Sequence, residues 1–141
     1  MTVALARISD TALSLDEHVA AVDSATAGAV TTFVGRVRDH DPDAADAVVA
    51  LEYSSHPDAE PVLLRIAEEA SAGSDAVVAV SHRIGRLSVG EAAVVIAVAS
   101  AHRDEAFTVC RDVIEAIKRE LPVWKRQIEA DGTTAWKGIG G

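Results

Sequence analysis

Aromatic side chains are scarce: two Trp, two Phe and one Tyr make up 4% of the 141 residues. The chain is long enough for a real core, and aliphatic residues, Ala and Val above all, have to fill most of it. Cysteine is rarer still. Cys110 stands alone, which excludes an internal disulfide. It falls among the apolar positions of a candidate helix, where packing suits it better than reactivity. The longest apolar run, Ala92 to Ala99, is far too short to cross a bilayer. The N-terminal MTVALARISD has neither the basic start nor the apolar stretch of a signal peptide, so the expected compartment is the cytoplasm. Basic residues are outnumbered, 13 against 22 acidic, for a formal charge of −9. A nucleic-acid surface needs a basic stripe and is not expected here.

Metal and nucleophile signatures are missing as well. His18, His40, His56, His82 and His102 show no tight ligand spacing, and there is no cysteine pair, so no metal site is expected. Gly85 and Gly90 lack the Lys-Ser/Thr ending of a phosphate loop, and Gly28 and Gly35 form no dinucleotide fingerprint. No Ser or Cys sits in a recognisable nucleophile context. No resident cofactor is expected.

What the chain does contain is a regular alternation of elements. Val3–Ile8, Ala27–Val37, Val48–Ser54, Ala76–Ile84 and Ala92–Ser100 have strand composition. Ser14 with Glu17 forms a capping box that opens a helix, with Leu15, Val19 and Val22 as its apolar side. His56-Pro57-Asp58 opens a second helix that buries Leu63, Leu64, Ile66, Ala67 and Ala70, with Gly73 as its cap. Gly35 inside its strand marks a bulge or a close backbone approach. Arg38–Asp46 reads as an exposed loop, and Gly85–Glu91 as a short connecting excursion. Asp131-Gly132 is a tight-turn signal joining Val123–Glu129 to Thr133–Lys137. The expectation is one domain over residues 1–141, of α+β class, with about three helices and a mixed or antiparallel sheet.

The stretch Val98 to Lys125 concentrates the chemistry. His102 and Arg103 sit where a strand gives way to a helix that runs to about Leu121 and is stopped by Pro122. The spacing predicts an apolar stripe of Phe107, Cys110, Ile114, Ile117 and Leu121, with Lys118 at its edge. Lys125 and Arg126 follow the proline. With Arg38 at an earlier strand end, these groups suit a local positive pocket for a small anion on an otherwise acidic body. A half-buried lysine beside another cation has a lowered pKa, which favours its neutral form. On these residues alone the chain either binds an anion or acts on it.

Four strings sharpen the choice: FVGRVRDH (33–40), HRIGRLSVGE (82–91), SAHRDEAF (100–107) and IKRELPVWKR (117–126). Together they resemble the large, catalytic subunit of molybdopterin synthase, the MoaE family. The resemblance runs in order from about Gly28 to Trp136. It implies an α/β-hammerhead fold and a homodimer at the core of a heterotetramer. Each end of that dimer receives a small ubiquitin-like sulfur-carrier subunit whose Gly-Gly tail bears a thiocarboxylate. It also implies transfer of two sulfurs to cyclic pyranopterin monophosphate, forming the dithiolene of molybdopterin.

Under that resemblance Lys118 is the principal catalytic group, by proton transfer or acyl capture, and Lys125 assists it. Arg38, His102 and Arg103 hold substrate. Arg126 is a weaker substrate-binding candidate, because strand alternation points it away from Lys125. His82 and Arg83 read as structural or interface residues. Ser54, Ser55 and His56 depart from the family pattern after Tyr53, and Lys137 stands in for an expected arginine. The terminal Gly140-Gly141 reads first as a free surface terminus; it also resembles the carrier's tail, and the alternative is entry into a neighbouring pocket when the partner is absent. The alternative from another class is a non-catalytic module that binds an anionic metabolite or a protein tail.

Overall fold

The structure, a computed structural model, describes residues 2–41, 44 and 47–139. In chain order the elements are β1 (Val3–Ser9), α1 (Leu15–Ala21), β2 (Ala29–Arg36), β3 (Val48–Ser55), α2 (Ala59–Ser71), β4 (Val77–Arg83), β5 (Gly85–Ser88), β6 (Ala92–Ser100), α3 (Arg103–Glu120), β7 (Val123–Glu129) and β8 (Thr134–Gly138). They form two four-stranded sheets. The first, in order β1-β4-β6-β2, is mixed, because β1 runs parallel to β4 while the other pairs are antiparallel. The second, β5-β3-β7-β8, is wholly antiparallel. The class is α+β, as the order of elements predicted.

Period-two alternation explains how the first sheet is covered on both sides. Val78, Val80, Ile96 and Val98 join Leu63 and Ile66 of α2 and Val109, Val113 and Ile117 of α3 in the main core. Ala79, Ala97 and Ala99 face the other way and pack with Val22, just past α1. Bulky residues meet two helices, and small ones let the short helix come close. With so few aromatics, this sorting of Val and Ala does the filling.

The helices differ from expectation in which residues they bury. Ser14 caps α1, accepting from the Glu17 amide at 3.1 Å as the capping box predicted. Leu15 and Val19 are exposed, however, and His18 is the buried residue. Its Nδ1 lies 2.6 Å from the Ser14 carbonyl and its Nε2 2.7 Å from Ser81 Oγ. A carbonyl only accepts, so Nδ1 carries the proton and Nε2 accepts from the serine. In α2, Leu63, Ile66 and Ala67 are buried as expected, while Leu64 points outward.

The stripe on α3 is also shifted. Ala106, Val109, Cys110, Val113 and Ile117 are buried, Ile114 only partly, and Phe107 is 60% exposed. The expected excursion after β4 contains a strand, β5, which pairs with β3 and buries Leu87 completely. Gly132 (φ 88°) makes the hairpin turn between β7 and β8, closed by the Glu129 amide donating to the Thr133 carbonyl at 3.0 Å. Gly140-Gly141 lies outside the described residues. No described helix is long and apolar enough to cross a membrane.

Candidate active site

A cleft of about 260 Å³ opens between the C-terminal turn of α3, the cleft face of the second sheet and the segment that leaves β2. Arg36, Arg38, His40, Asp41, Leu51, Tyr53, Lys118, Lys125 and Gln127 contribute to its wall. Each element delivers its residues for a local reason. Lys118 sits in the last turn of α3, where the helix dipole also favours a cation. Pro122 then ends the helix, and β7 starts at Val123.

Alternation along β7 turns Lys125 and Gln127 to the cleft and Trp124 and Arg126 to the opposite face. On β3 the same rule places Leu51 and Tyr53 with them, since Tyr53 pairs with Lys125 and Leu51 with Gln127. On β2, the register shifts between Gly35 and Arg36. The extra residue is Ala93 on β6, opposite the step from Gly35 to Arg36, and Arg36 and Arg38, two positions apart, both reach the cleft. Gly35 is also a close approach: a Cβ there would lie 2.6 Å from Val94 Cγ1.

Electrostatics concentrates positive charge. Among the described residues that line the cleft, four are Lys or Arg and Asp41 is the one carboxylate. Asp41 is engaged at the rim, accepting from Gln127 Nε2 and lying 3.9 Å from Lys137 Nζ. Arg36 donates from Nε to the Gly90 carbonyl at 3.1 Å. The Arg38 guanidinium and the Lys118 amine have no ion-pair or hydrogen-bond partner among the described residues. Burial, and then the charge of Lys125, hold the Lys118 amine below the usual lysine range. The expected lowering is therefore present, from both anticipated causes.

The geometry brings together Lys118, Lys125 and Arg38. It does not bring His102 and Arg103 to them. Both lie exposed at the N-terminus of α3, and Lys118 is near its other end. Fifteen residues of α-helix separate Arg103 from Lys118 by roughly 22 Å. Basic groups from the two ends of this helix thus do not converge within one chain, because a helix of this length is a rigid spacer.

Arg126 is a second correction. It donates to Glu52 Oε2 at 3.0 Å and lies 5.3 Å over the ring of Trp136, on the face away from the cleft. Its role there is cross-strand packing. His82 is buried against Tyr53, and Arg83 pairs with Glu91, as their structural reading anticipated. Burial pushes the Cys110 thiol up to about 11, which leaves it protonated and inert. Among the described residues no group of His, Cys, Asp or Glu is arranged to hold a metal ion.

Sequence reasoning passed over Tyr53, Gln127, Arg36 and His40. A signal exists for the first: alternation along Val48–Ser54 sets Tyr53 and Leu51 on one strand face, and only the pairing with Lys125 lies beyond the local sequence.

Comparison with known proteins bears on this arrangement directly. Residues 8–120 match the family model for the MoaE protein. The chain belongs to the MoaE family. Relatives of this MoaE chain include molybdopterin synthase catalytic subunit 1 of Mycobacterium tuberculosis, 39% identical over 137 residues, 94% of this chain and 89% of the relative. The molybdopterin synthase catalytic subunit of Bacillus subtilis is 41% identical over 127 residues, 89% of this chain and 80% of its own length. The crystal structure of molybdopterin synthase from Staphylococcus aureus matches with a TM-score of 0.86 and 32% identity, over 93% of this chain and 95% of that one. The MoaE match takes in Arg36, Arg38 and Lys118 and ends before Lys125.

Proposed function

We propose that this chain is the catalytic subunit of a molybdopterin synthase, a sulfurtransferase acting in the cytoplasm as a single domain. Its substrate is cyclic pyranopterin monophosphate. Its sulfur donor is the thiocarboxylated Gly-Gly tail of a small ubiquitin-like subunit, and its product is the dithiolene of molybdopterin. The single observation that carries this reading is the cleft itself, where two lysines on either side of a proline break meet Arg38. Family membership and the names of its relatives support the same conclusion.

The chemistry follows from charge and protonation. Substrate phosphate and donor thiocarboxylate are both anions, and a cleft with four lining cations on a −9 chain draws them in. Arg38 offers a planar fork suited to phosphate oxygens. A lysine whose pKa is lowered supplies more neutral amine near neutrality. As a base, that amine takes a proton during sulfur addition. As a nucleophile, it attacks the thiocarboxyl carbon, forms an amide with the tail and expels hydrosulfide beside the substrate. Lys125 places a cation close to the developing negative charge.

His102 and Arg103 enter this scheme through a second copy. In the proposed homodimer core of a heterotetramer, the N-terminus of one α3 meets the cleft of its partner.

Reconstitution tests the reading. The purified chain, mixed with thiocarboxylated small subunit and cyclic pyranopterin monophosphate, should produce molybdopterin. Lys118→Ala should remove activity with the fold intact. Lys118→Arg separates catalyst from binder: a non-catalytic module tolerates it, whereas an enzyme that needs a deprotonable amine does not.

A further inference from the structure

Tyr53 is the only tyrosine in the chain. Its ring stands on the cleft face of β3, directly opposite Lys125 on β7 and opposite Gly85 on β5. Gly85 contributes no side chain, and a Cβ built there would meet nothing within 4 Å. No side chain of β5 therefore stands across from Tyr53 at that register position.

Behind the ring lies His82, almost wholly buried, with its centroid 5.1 Å away and its plane at 74°, an edge-on contact. His82 Nδ1 is 2.8 Å from the Arg83 carbonyl oxygen, so this nitrogen bears the hydrogen and donates it. Burial drives the His82 pKa down to about 4, opposed by the Arg83 carbonyl and helped by the charge of Lys118. The imidazole is thus a neutral wall that fixes the phenol without competing for an anion.

The hydroxyl itself is unusual. Among the described residues it has no hydrogen-bond partner. Burial alone raises its pKa to about 12, so it remains a neutral O–H donor at any working pH. A half-buried tyrosine normally directs its hydroxyl to a protein group, and phenylalanine would pack against His82 equally well. An O–H kept inside a cleft lined by Lys118, Lys125, Arg36 and Arg38 has an anion as its natural acceptor.

We propose that Tyr53 is a substrate-contacting residue whose hydroxyl donates a hydrogen bond to an anionic oxygen of the bound reactants. The cations attract negative charge from any direction. The phenol adds a donor of fixed direction, held by His82 and placed across the sheet from Lys125. Two reactants carry such an oxygen, the phosphate of the pterin and the acyl group of the carrier tail. This inference rests on the sulfur-transfer reading above.

The test is Tyr53→Phe, which keeps the ring against His82 and deletes only the oxygen. Turnover is measured with thiocarboxylated small subunit and cyclic pyranopterin monophosphate. Binding of the pterin alone and of the carboxylate form of the small subunit alone is measured in parallel. The expected result is an unchanged melting temperature with turnover reduced about 10- to 100-fold, the usual effect of losing a hydrogen bond to a charged group. A matching loss of pterin affinity assigns the phosphate as acceptor, and a matching loss of carrier affinity assigns the tail. Reduced turnover with both affinities intact assigns an oxyanion that forms only during reaction. Turnover within twofold of wild type overturns the role of Tyr53 while leaving the enzyme assignment standing. A wild-type chain that transfers no sulfur overturns the enzyme assignment, and this inference falls with it.

Discussion

Lys118 and Lys125 belong to different elements, the end of α3 and the second sheet, yet the charge on one depresses the pKa of the other. Pro122 makes this possible. It ends the helix within a turn of Lys118 and sends the chain into β7, so that two amines seven positions apart share a wall.

That coupling predicts a pH effect of definite sign. If Lys118 works as the neutral amine, activity rises with pH through its pKa. Lys125→Met removes the neighbouring charge that adds to burial in depressing the Lys118 pKa, so that pKa moves up. The acidic limb of the kcat profile should shift to higher pH, with reduced turnover at neutrality. A limb that stays in place in Lys125→Met shows that Lys118 does not set it.

In the proposed homodimer, the separation of the two ends of α3 predicts complementation. Lys118→Ala chains and His102→Ala/Arg103→Ala chains should each be inactive as homodimers when paired with the small subunit. Mixed dimers contain one cleft with its lysine intact, facing an intact His102-Arg103 pair from the other copy. Co-refolding the two variants in equal amounts should restore about a quarter of wild-type activity, since about half of the dimers are mixed and each has one whole site. Zero recovery from well-formed mixed dimers would mean that both ends serve the same chain by some other route.

His82 predicts acid sensitivity. Its folded-state pKa, about 4, lies below the ordinary histidine value of 6.5. The unfolded chain therefore binds the extra proton first. Stability from this group is complete above pH 6.5, falls as pH drops through the window from 6.5 to 4, and changes no further below it. The loss amounts to about 3 kcal/mol at 1.36 kcal/mol per unit. Urea unfolding of wild type and His82→Phe at pH 7 and pH 4.5 measures it. The variant should lose clearly less stability on acidification.

Much of the fold was legible because alternation and punctuation are local. The strand runs, the Ser14–Glu17 box, the close approach at Gly35, the stop at Pro122 and the Asp131-Gly132 turn each depend on a few neighbouring residues. The misreadings arose where distant partners decide. Ranking residues by size favours Phe107 on α3, but the sheet receives Ala106, a turn-mate small enough to pack closely. On α1, His18 is buried because Ser81, 63 positions away, supplies its second hydrogen bond. β5 has four residues and one large aliphatic side chain, too little for a strand pattern without the facing β3.

The site divides the same way. Lys118 and Lys125 were readable from the proline between them, and the orientation of Arg126 from alternation. Tyr53 emerged only from strand pairing. The distance between Arg103 and Lys118 follows from the helix length alone and was available to simple arithmetic.

Strand β7 carries reactive groups on one side and indole and guanidinium on the other, with nothing but single-residue parity keeping them apart. Deleting one residue between Pro122 and Lys125 would exchange the two sets, lodging Arg126 where the Lys125 amine belongs. Substitutions in this segment remain open to variation, but a change of length by one is closed to any lineage that keeps the activity.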